Sequence, residues 1–278
     1  MHVQTHKKEL RQSELVWDLS LGAGMKQTQI WPDLLYVVRH GESAGNVARD
    51  AATAAGHHVI DIDVRDVDVP LSDLGQEQAR ALGRWYGSLD KEAQPEIVLT
   101  SPYLRARHTA DIIVSESGIK PAAVVVDERF REKEFGILDR LTAAGIAASH
   151  PDQAEFRRIL GKFYFRPPGG ESWCDVILRL RSALEMISRE YCGCKVLIVC
   201  HSVVVLCMRY LIEHMTEDQI LEIDRANEIA NCSVTSYFYD PAQGPRGQLS
   251  LDLFNFVAPL EEAGAPVTSK PDARVGAR

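Results

Sequence analysis

An α/β fold in three layers, with a mostly parallel central sheet and helices on both faces, is the architecture this sequence predicts. Three observations lead there. Short β-rich runs alternate with helical stretches between about residues 34 and 256, the pattern of strand–helix units layered into one sheet. Two of the runs, "LLYVVR" and "KVLIVCH", are apolar along their length, as strands covered on both faces are. Polar and charged residues then follow directly after the runs, where the binding groups of such sheets gather.

In chain order the strand candidates are "LLYVVR", "EIVLTS", "AAVVVDER" and "KVLIVCH", with "SVTSYFYD" and "LDLFNFV" near the end. Helices are expected from Asp73 to Ser88, after a polar start, and from Tyr103 to Glu116. Two more run from Ser172 to Tyr191 and from Val203 to His214. Residues 1–30 read as a flexible N-terminal extension, with "LGAGMKQTQIWPDLL" leading into the domain and Met25 offering an alternative start. A single domain is expected over 31–258. Residues 259–278, rich in Ala, Pro, Gly and charge, read as a disordered tail.

Composition bounds the function. The 278 residues are 45% apolar and 25% charged, ordinary for a globular protein and ample for a core. The formal net charge of -8 opposes nucleic acid and anionic membranes, yet a local arginine cluster can still hold an anionic small molecule. Cys200 and Cys207 lie in apolar runs and read as buried thiols. Cys192-Gly-Cys194 has neither redox nor zinc spacing. A reducing compartment is expected, with no metal, no cofactor and no disulfide framework. No run approaches the length of a membrane span, and "MHVQTHKKELRQSELVWDLS" lacks a signal-peptide core, which gives a cytoplasmic expectation. Oligomeric state is left open.

The residues just past the strands carry the chemistry. Arg39-His40-Gly41 follows the first, Ser101-Pro102-Tyr103-Leu104-Arg105 the second, "DERFREKEFG" the third and His201-Ser202 the fourth. If these strands are parallel neighbours, two arginines, two histidines and several glutamates converge on one edge. A lone buried histidine is usually a hydrogen-bonded core residue. Two histidines and two arginines at equivalent places are hard to explain that way.

"RHGESAGN", "TSPYLRARHTA", "FREKEFG" and "VCHS", in this order, resemble the motifs of the histidine phosphatase superfamily, whose founding branch is the cofactor-dependent phosphoglycerate mutases. "PPGGESWCDVILRLR" resembles its Gly-Glu-Ser segment, and the likeness runs from about Leu34 to Phe256. The resemblance implies a phosphoglycerate mutase-like sandwich and phosphoryl transfer through a phosphohistidine, without metal. His40 is the expected nucleophile, and cationic neighbours favour its neutral ring. The Gly41 carbonyl or another local group is expected to fix its tautomer. Arg39 and Arg105 offer planar forks for phosphate oxygens. His201 matches the second histidine, stabilising the equatorial oxygens, and the Ser202 backbone N–H opens a helix there. Ser43 and Asn46, on the loop leaving His40, match phosphate-contacting positions. A leaving alkoxide needs an acid. Glu128, Glu132 and Glu134 share one parity, so alternation alone leaves all three open. In the superfamily the acid stands three residues before the aromatic of the "FG" pair, here Phe135, which selects Glu132 with Glu134 in reserve.

A phosphatase acting on a small phosphorylated substrate is the first reading. The alternatives are a cofactor-dependent phosphoglycerate mutase and a catalytically silent binding module. The mutases carry "RHGESxWN", where this chain has Gly45, and "HSVVV" stands for their His-Gly-Gly-type turn. Both departures favour hydrolysis, and retention of the whole residue set opposes a silent module. Other charged groups read as structural. Arg107 and His108 are expected to be structural or solvent-facing, and "DIDVRDVDVP" a solvated loop. Glu171 and Ser172 read as a pocket rim or a helix start. Lys162, Tyr164 and Arg166 read as a second anion site or a packing seam with snorkelling bases. The segment from Gly136 to Gly170 is expected to form the lid.

Overall fold

The computed structural model describes residues 29–269; the N-terminal extension, Met25 and the last residues of the tail lie outside them. Its strands are β1 (Leu34–Arg39), β2 (Ile97–Thr100), β3 (Ala123–Val126), β4 (Lys195–Cys200), β5 (Val234–Asp240) and β6 (Gln248–Phe256). Its helices are α1 (Ala44–Ala54), α2 (Asp73–Ser88), α3 (Leu104–Ser117), α4 (Ala143–Ser149), α5 (Pro151–Tyr164), α6 (Trp173–Glu190), α7 (Ser202–Ile212), α8 (Glu217–Ala226) and α9 (Ala258–Glu262). The strands form one sheet in the order β3-β2-β4-β1-β5-β6. β1 to β4 run parallel, and β5 runs against both neighbours.

Side-chain alternation separates the two faces. Leu35 and Val37 of β1 join a core with α6 and α7, whereas Tyr36 and Val38 join a second core with α2 and α3. Both faces of β1 and β4 are therefore dry, which explains their unbroken apolar runs. The expected three-layer sandwich is the observed one.

Helices α2 and α6 start where the sequence supplies a cap, whereas α3 and α7 start without a side-chain cap. Ser72 Oγ accepts from Gly75 N at the head of α2, and Ser172 with Asp175 forms a capping box on α6. Gly118, at a φ of 66°, closes α3 in the left-handed conformation. α5 is broken at Gly161, whose φ of 76° a side chain would disfavour. Helices α1, α4, α5, α8 and α9 lie outside the four expected from sequence. Most are short or carry a weak apolar stripe, and their stability comes from packing.

The tail boundary needs correction. Residues 258–269 are ordered against the α2 face: Leu260 is fully buried in that core, and Gln78 Nε2 donates to the Pro266 carbonyl and Thr268 Oγ1. Thr268 also meets Asn231 through its backbone carbonyl and its hydroxyl. One apolar side chain in a polar, Pro- and Gly-rich stretch is enough to dock it. Among the described residues no helix is long and apolar enough to cross a membrane. Leu260→Ala is expected to cost about 2–5 kcal/mol, read as a lower urea midpoint at unchanged m-value; an unchanged midpoint would show that the strap contributes nothing.

Candidate active site

Parallel pairing of β1 with β4 and of β4 with β2 sets three carboxyl ends side by side. His40 follows β1, Ser101 follows β2 and His201 follows β4, and all three are fully buried. Arg39 is fully buried as well, with Nη1 donating to the Ile229 carbonyl at 2.5 Å. The expected convergence is present.

The His40 ring is fixed from both sides. Nδ1 lies 2.6 Å from the Gly41 carbonyl, which can only accept. Nε2 lies 3.2 Å from Arg105 Nε, which can only donate. Both partners demand the same tautomer: the proton on Nδ1 and the lone pair on Nε2. Gly41 N in turn donates to Thr109 Oγ1 of α3 at 3.1 Å, tying the loop to the helix that carries Arg105. The backbone here tolerates no side chain, since a Cβ on Gly41 would lie 2.4 Å from the Gly75 carbonyl oxygen.

His201 stands edge-on to His40, with ring centroids 5.1 Å apart. Its Nε2 meets Ser101 Oγ at 2.7 Å, and its Nδ1 is 4.0 Å from Glu132 Oε2. Glu132 is 1% exposed, and its Oε1 accepts from Lys133 N. Tyr103 packs edge-on to His201 at 5.1 Å and under the Arg105 guanidinium at 4.8 Å. Burial and the neighbouring Glu134 push its phenol up, so it stays protonated and donates to Glu134 Oε1 at 2.9 Å. Glu134 is exposed and Glu128 is exposed. Of the three glutamates, the structure brings Glu132 alone against His201.

Glu171 holds the loop that carries Glu132. It pairs with Arg131 and Arg179, and Arg179 also donates to the Arg129 and Glu132 carbonyls. Burial would raise the Glu171 carboxyl, but the two guanidiniums outweigh it and hold it below the usual range. Glu171 thus serves the scaffold, and Ser172 caps α6.

Beside these groups opens a hollow lined at its inner end by Arg105, Glu132, Ser43 and Asn46. Ser43 and Asn46 differ from expectation in setting: they are the N-cap and third residue of α1, joined in a capping box, rather than loop residues. Their buried side chains line the hollow together, bonded to each other, while Ala44 N donates to the Pro70 carbonyl. Gly45 lies between them. A Cβ there would meet Val69 Cγ1 at 3.2 Å and Ile62 Cδ1 at 3.5 Å, so the space of a side chain at 45 is filled by the opposite wall.

That wall is the run expected to be a solvated loop, and the structure corrects the expectation by half. Ile60, Ile62, Val64 and Asp66 line the hollow, while Asp61, Asp63 and Arg65 are exposed. Asp66 reaches Arg105 twice over, through its carbonyl at 2.7 Å and its carboxylate at 2.9 and 3.3 Å. A carboxylate thus sits in the guanidinium fork. The period-two alternation of "IDIDVRD" was the available signal. Ser101 and Thr109 lie within "TSPYLRARHTA" but had no role assigned from sequence, and Asp66 had no motif to announce it.

Arg107, His108, Lys162 and Arg166 fall outside the hollow, whereas Arg49 lines it. Arg107 and His108 are exposed, as expected. Lys162 pairs with Asp224 over the Trp173 ring, and Arg166 pairs with Asp175, next to buried Phe163 and Phe165. This is the packing seam. From the expected lid segment, Asp139 and Arg140 line the hollow.

The arrangement provides an unprotonated ring nitrogen, donors suited to an anion, and a carboxyl group poised beside them. The profile of the histidine phosphatase superfamily (branch 1) matches residues 35–246, and the chain belongs to that superfamily. A 2,3-bisphosphoglycerate-dependent phosphoglycerate mutase of Gloeobacter violaceus is 28% identical over 230 residues, covering 81% of this chain and 94% of the relative. One from Methylorubrum extorquens is 28% identical over 200 residues, covering 70% and 86%. Among solved structures, YhfR of Bacillus stearothermophilus superposes with a TM-score of 0.64 at 26% identity, covering 82% of this chain and 98% of that one. The mycobacterial glucosyl-3-phosphoglycerate phosphatase with inorganic phosphate superposes at 0.61 and 23% identity, covering 82% and 99%, and shares the fold.

Lys133, next to Glu132, is pushed down to about 8 by burial and by Arg157. The unfolded chain holds this proton up to the ordinary lysine range near 10.5, so folding gains stability as pH rises between the two values. Relative to Lys133→Met, the wild type is expected to gain stability from pH 8 to 10.5, read as the difference in urea midpoints. A difference flat across that window would contradict the shift.

Proposed function

We propose that this protein is a phosphatase that hydrolyses a phosphomonoester through a phosphohistidine on His40. The observation that supports it most is the doubly fixed imidazole, whose Nε2 lone pair faces Arg105, a residue that lines the hollow. In the first step His40 Nε2 bonds to phosphorus, the ester P–O bond breaks, and the protonated Glu132 gives its proton to the departing alcohol oxygen. In the second, a water attacks phosphorus, its proton passes to the Glu132 carboxylate, and the N–P bond breaks to release phosphate. Arg39, Arg105 and His201 hold the phosphoryl oxygens, with Ser43 and Asn46 at their flank. No step calls for a metal or cofactor.

The names of the curated relatives favour a mutase as the second reading. A mutase must hold a phosphorylated glycerate and present its second hydroxyl to the same histidine. The wall at Ile62 and Val69, filling the space beside Gly45, itself offers such a polyol no hydrogen bond, which weighs against this reading although Arg49 and Arg140 also line the hollow.

One set of assays separates the readings: phosphate release from p-nitrophenyl phosphate and from an alkyl phosphate, and isomerisation of 3-phosphoglycerate, with and without chelator. His40→Ala is expected to lose roughly a thousandfold or more in release. Glu132→Gln is expected to lose about 10²–10⁴-fold on the alkyl ester and far less on the nitrophenyl ester, whose leaving group needs no proton. Near-normal turnover by His40→Ala would sink the assignment, and efficient isomerisation would restore the mutase.

Phosphate entering the Arg105 fork must displace the Asp66 carboxylate. Asp66→Asn is therefore expected to tighten competitive inhibition by inorganic phosphate roughly twofold to tenfold. Weaker inhibition would show instead that Asp66 holds Arg105 in place.

A further inference from the structure

Beyond the phosphate end, the hollow changes character. Its lining past the buried polar groups is mixed: Arg49, Asp139 and Arg140 contribute charge, and Ile60, Ile62, Val64, Val69 and Phe135 contribute an apolar face. Ile60 and Val69 are buried, at 4% and 2% exposure, and belong to the framework. Ile62 is half-buried and Val64 is 43% exposed, so these two present apolar surface to whatever enters.

This surface is built, not incidental. The segment that carries it is clamped to the chain at 140–142 by an antiparallel bridge between Val59 and Leu141. Ile60 N donates to the Arg140 carbonyl at 2.8 Å, and Thr142 N donates to the His58 carbonyl at 3.0 Å. Thr142 Oγ1 donates to the His57 carbonyl at 2.7 Å. Arg140 takes a φ of 61° to make the join, a conformation a non-glycine residue holds only when its surroundings compel it. A Cβ on Gly145 would lie 2.0 Å from the His58 carbonyl oxygen, so the clamp closes to backbone contact. With the register held, alternation sends residues 60, 62, 64 and 66 inward and the charged 61, 63 and 65 outward. An acidic, charge-rich run thereby turns an apolar edge to the site.

A hydroxyl set against Ile62 or Val64 would lose water without gaining a hydrogen bond there, and only Arg49, Asp139 and Arg140 of the outer lining could pair it. An alkyl or aryl group would instead exchange water for carbon contact. We infer that Ile62 and Val64 determine specificity, selecting phosphomonoesters whose alcohol carries an apolar alkyl or aryl face next to the ester oxygen. This rests on the phosphatase reading for where the phosphate sits. The asymmetry is usual in recognition: a wall lacking donors and acceptors rejects polar groups by failing to pair them.

The test uses the whole chain and a matched pair of non-hydrolysable ligands, butylphosphonate and 3,4-dihydroxybutylphosphonate, titrated calorimetrically. The wild type is expected to bind the butyl compound about tenfold tighter or more. Ile62→Asn is expected to bring the ratio to within about twofold, with inorganic phosphate bound as in the wild type, which also reports that the variant is folded. Val64→Asn, at the more exposed position, is expected to shift the ratio the same way and carries the test should Ile62→Asn misfold. A wild-type ratio near one, a preference for the diol, binding of neither ligand, or a preference surviving both substitutions would each overturn the inference. Turnover is read separately on butyl phosphate and glycerol 3-phosphate. A protein that prefers butylphosphonate yet releases no phosphate from any ester would sink the hydrolase reading and leave the apolar selection standing.

Discussion

The imidazole of His40 is held between a carbonyl that can only accept and a guanidinium nitrogen that can only donate, and the rest of the site is arranged around keeping those two partners in place. The carbonyl belongs to the next residue, so its direction depends on the backbone turn at Gly41, pressed against Gly75 at the start of α2. The donor belongs to α3, whose Thr109 accepts from Gly41 N and donates to the Arg105 carbonyl. A single hydroxyl thus couples the loop that aims one ring nitrogen to the helix that aims at the other. Such a network has one low-energy arrangement, which is what preorganisation requires.

Burying this much charge needs compensation, because an unpaired ion in the interior costs several kcal/mol. Arg39 is met by the Ile229 carbonyl, and Arg105 by Asp66. The 228–232 turn is itself anchored. Asn231 Nδ2 donates to the His40 carbonyl, Cys232 N reaches the Arg39 carbonyl, and the C-terminal strap hydrogen-bonds Asn231 and Gln78. Gln78 in turn accepts from Glu42 N. The strap that composition marked as disordered therefore ends two hydrogen bonds from the His40 loop.

What the sequence disclosed follows from which forces are periodic or local. β1, β4 and α2 were legible because burial on two faces and a polar cap leave marks in consecutive residues. Arg39, His40, Arg105 and His201 were legible because parallel strands put their carboxyl ends on one edge, and motif order then named the groups. Glu132 needed the spacing to Phe135, since its parity matched Glu128 and Glu134. Asp66 and Ser101 were not legible: each acquires its meaning from a partner across the fold, Arg105 in one case and His201 in the other. Ser43 and Asn46 were expected as phosphate-contacting residues on a loop; they line the hollow but cap α1, a helix that Gly45 and the short polar start hid.

The same alternation that hid the wall explains how it works with the phosphate end. Residues 60, 62, 64 and 66 line the same hollow, the first held by the Val59–Leu141 bridge and the last opening a 3-10 turn. While the carboxylate sits in the Arg105 fork, His40 has no exposed surface. In the proposed reaction a phosphate that takes the fork displaces Asp66, which lines the hollow beside Val64 and Ile62. The alcohol portion of the ester meets the edge at that moment. An ion that fills the fork without an apolar group behind it gains the guanidinium but not the wall, whereas an ester with an apolar alcohol gains both. Selection of the alcohol and access to the nucleophile then become one event, set by a run of seven residues whose outward face is nearly all charge.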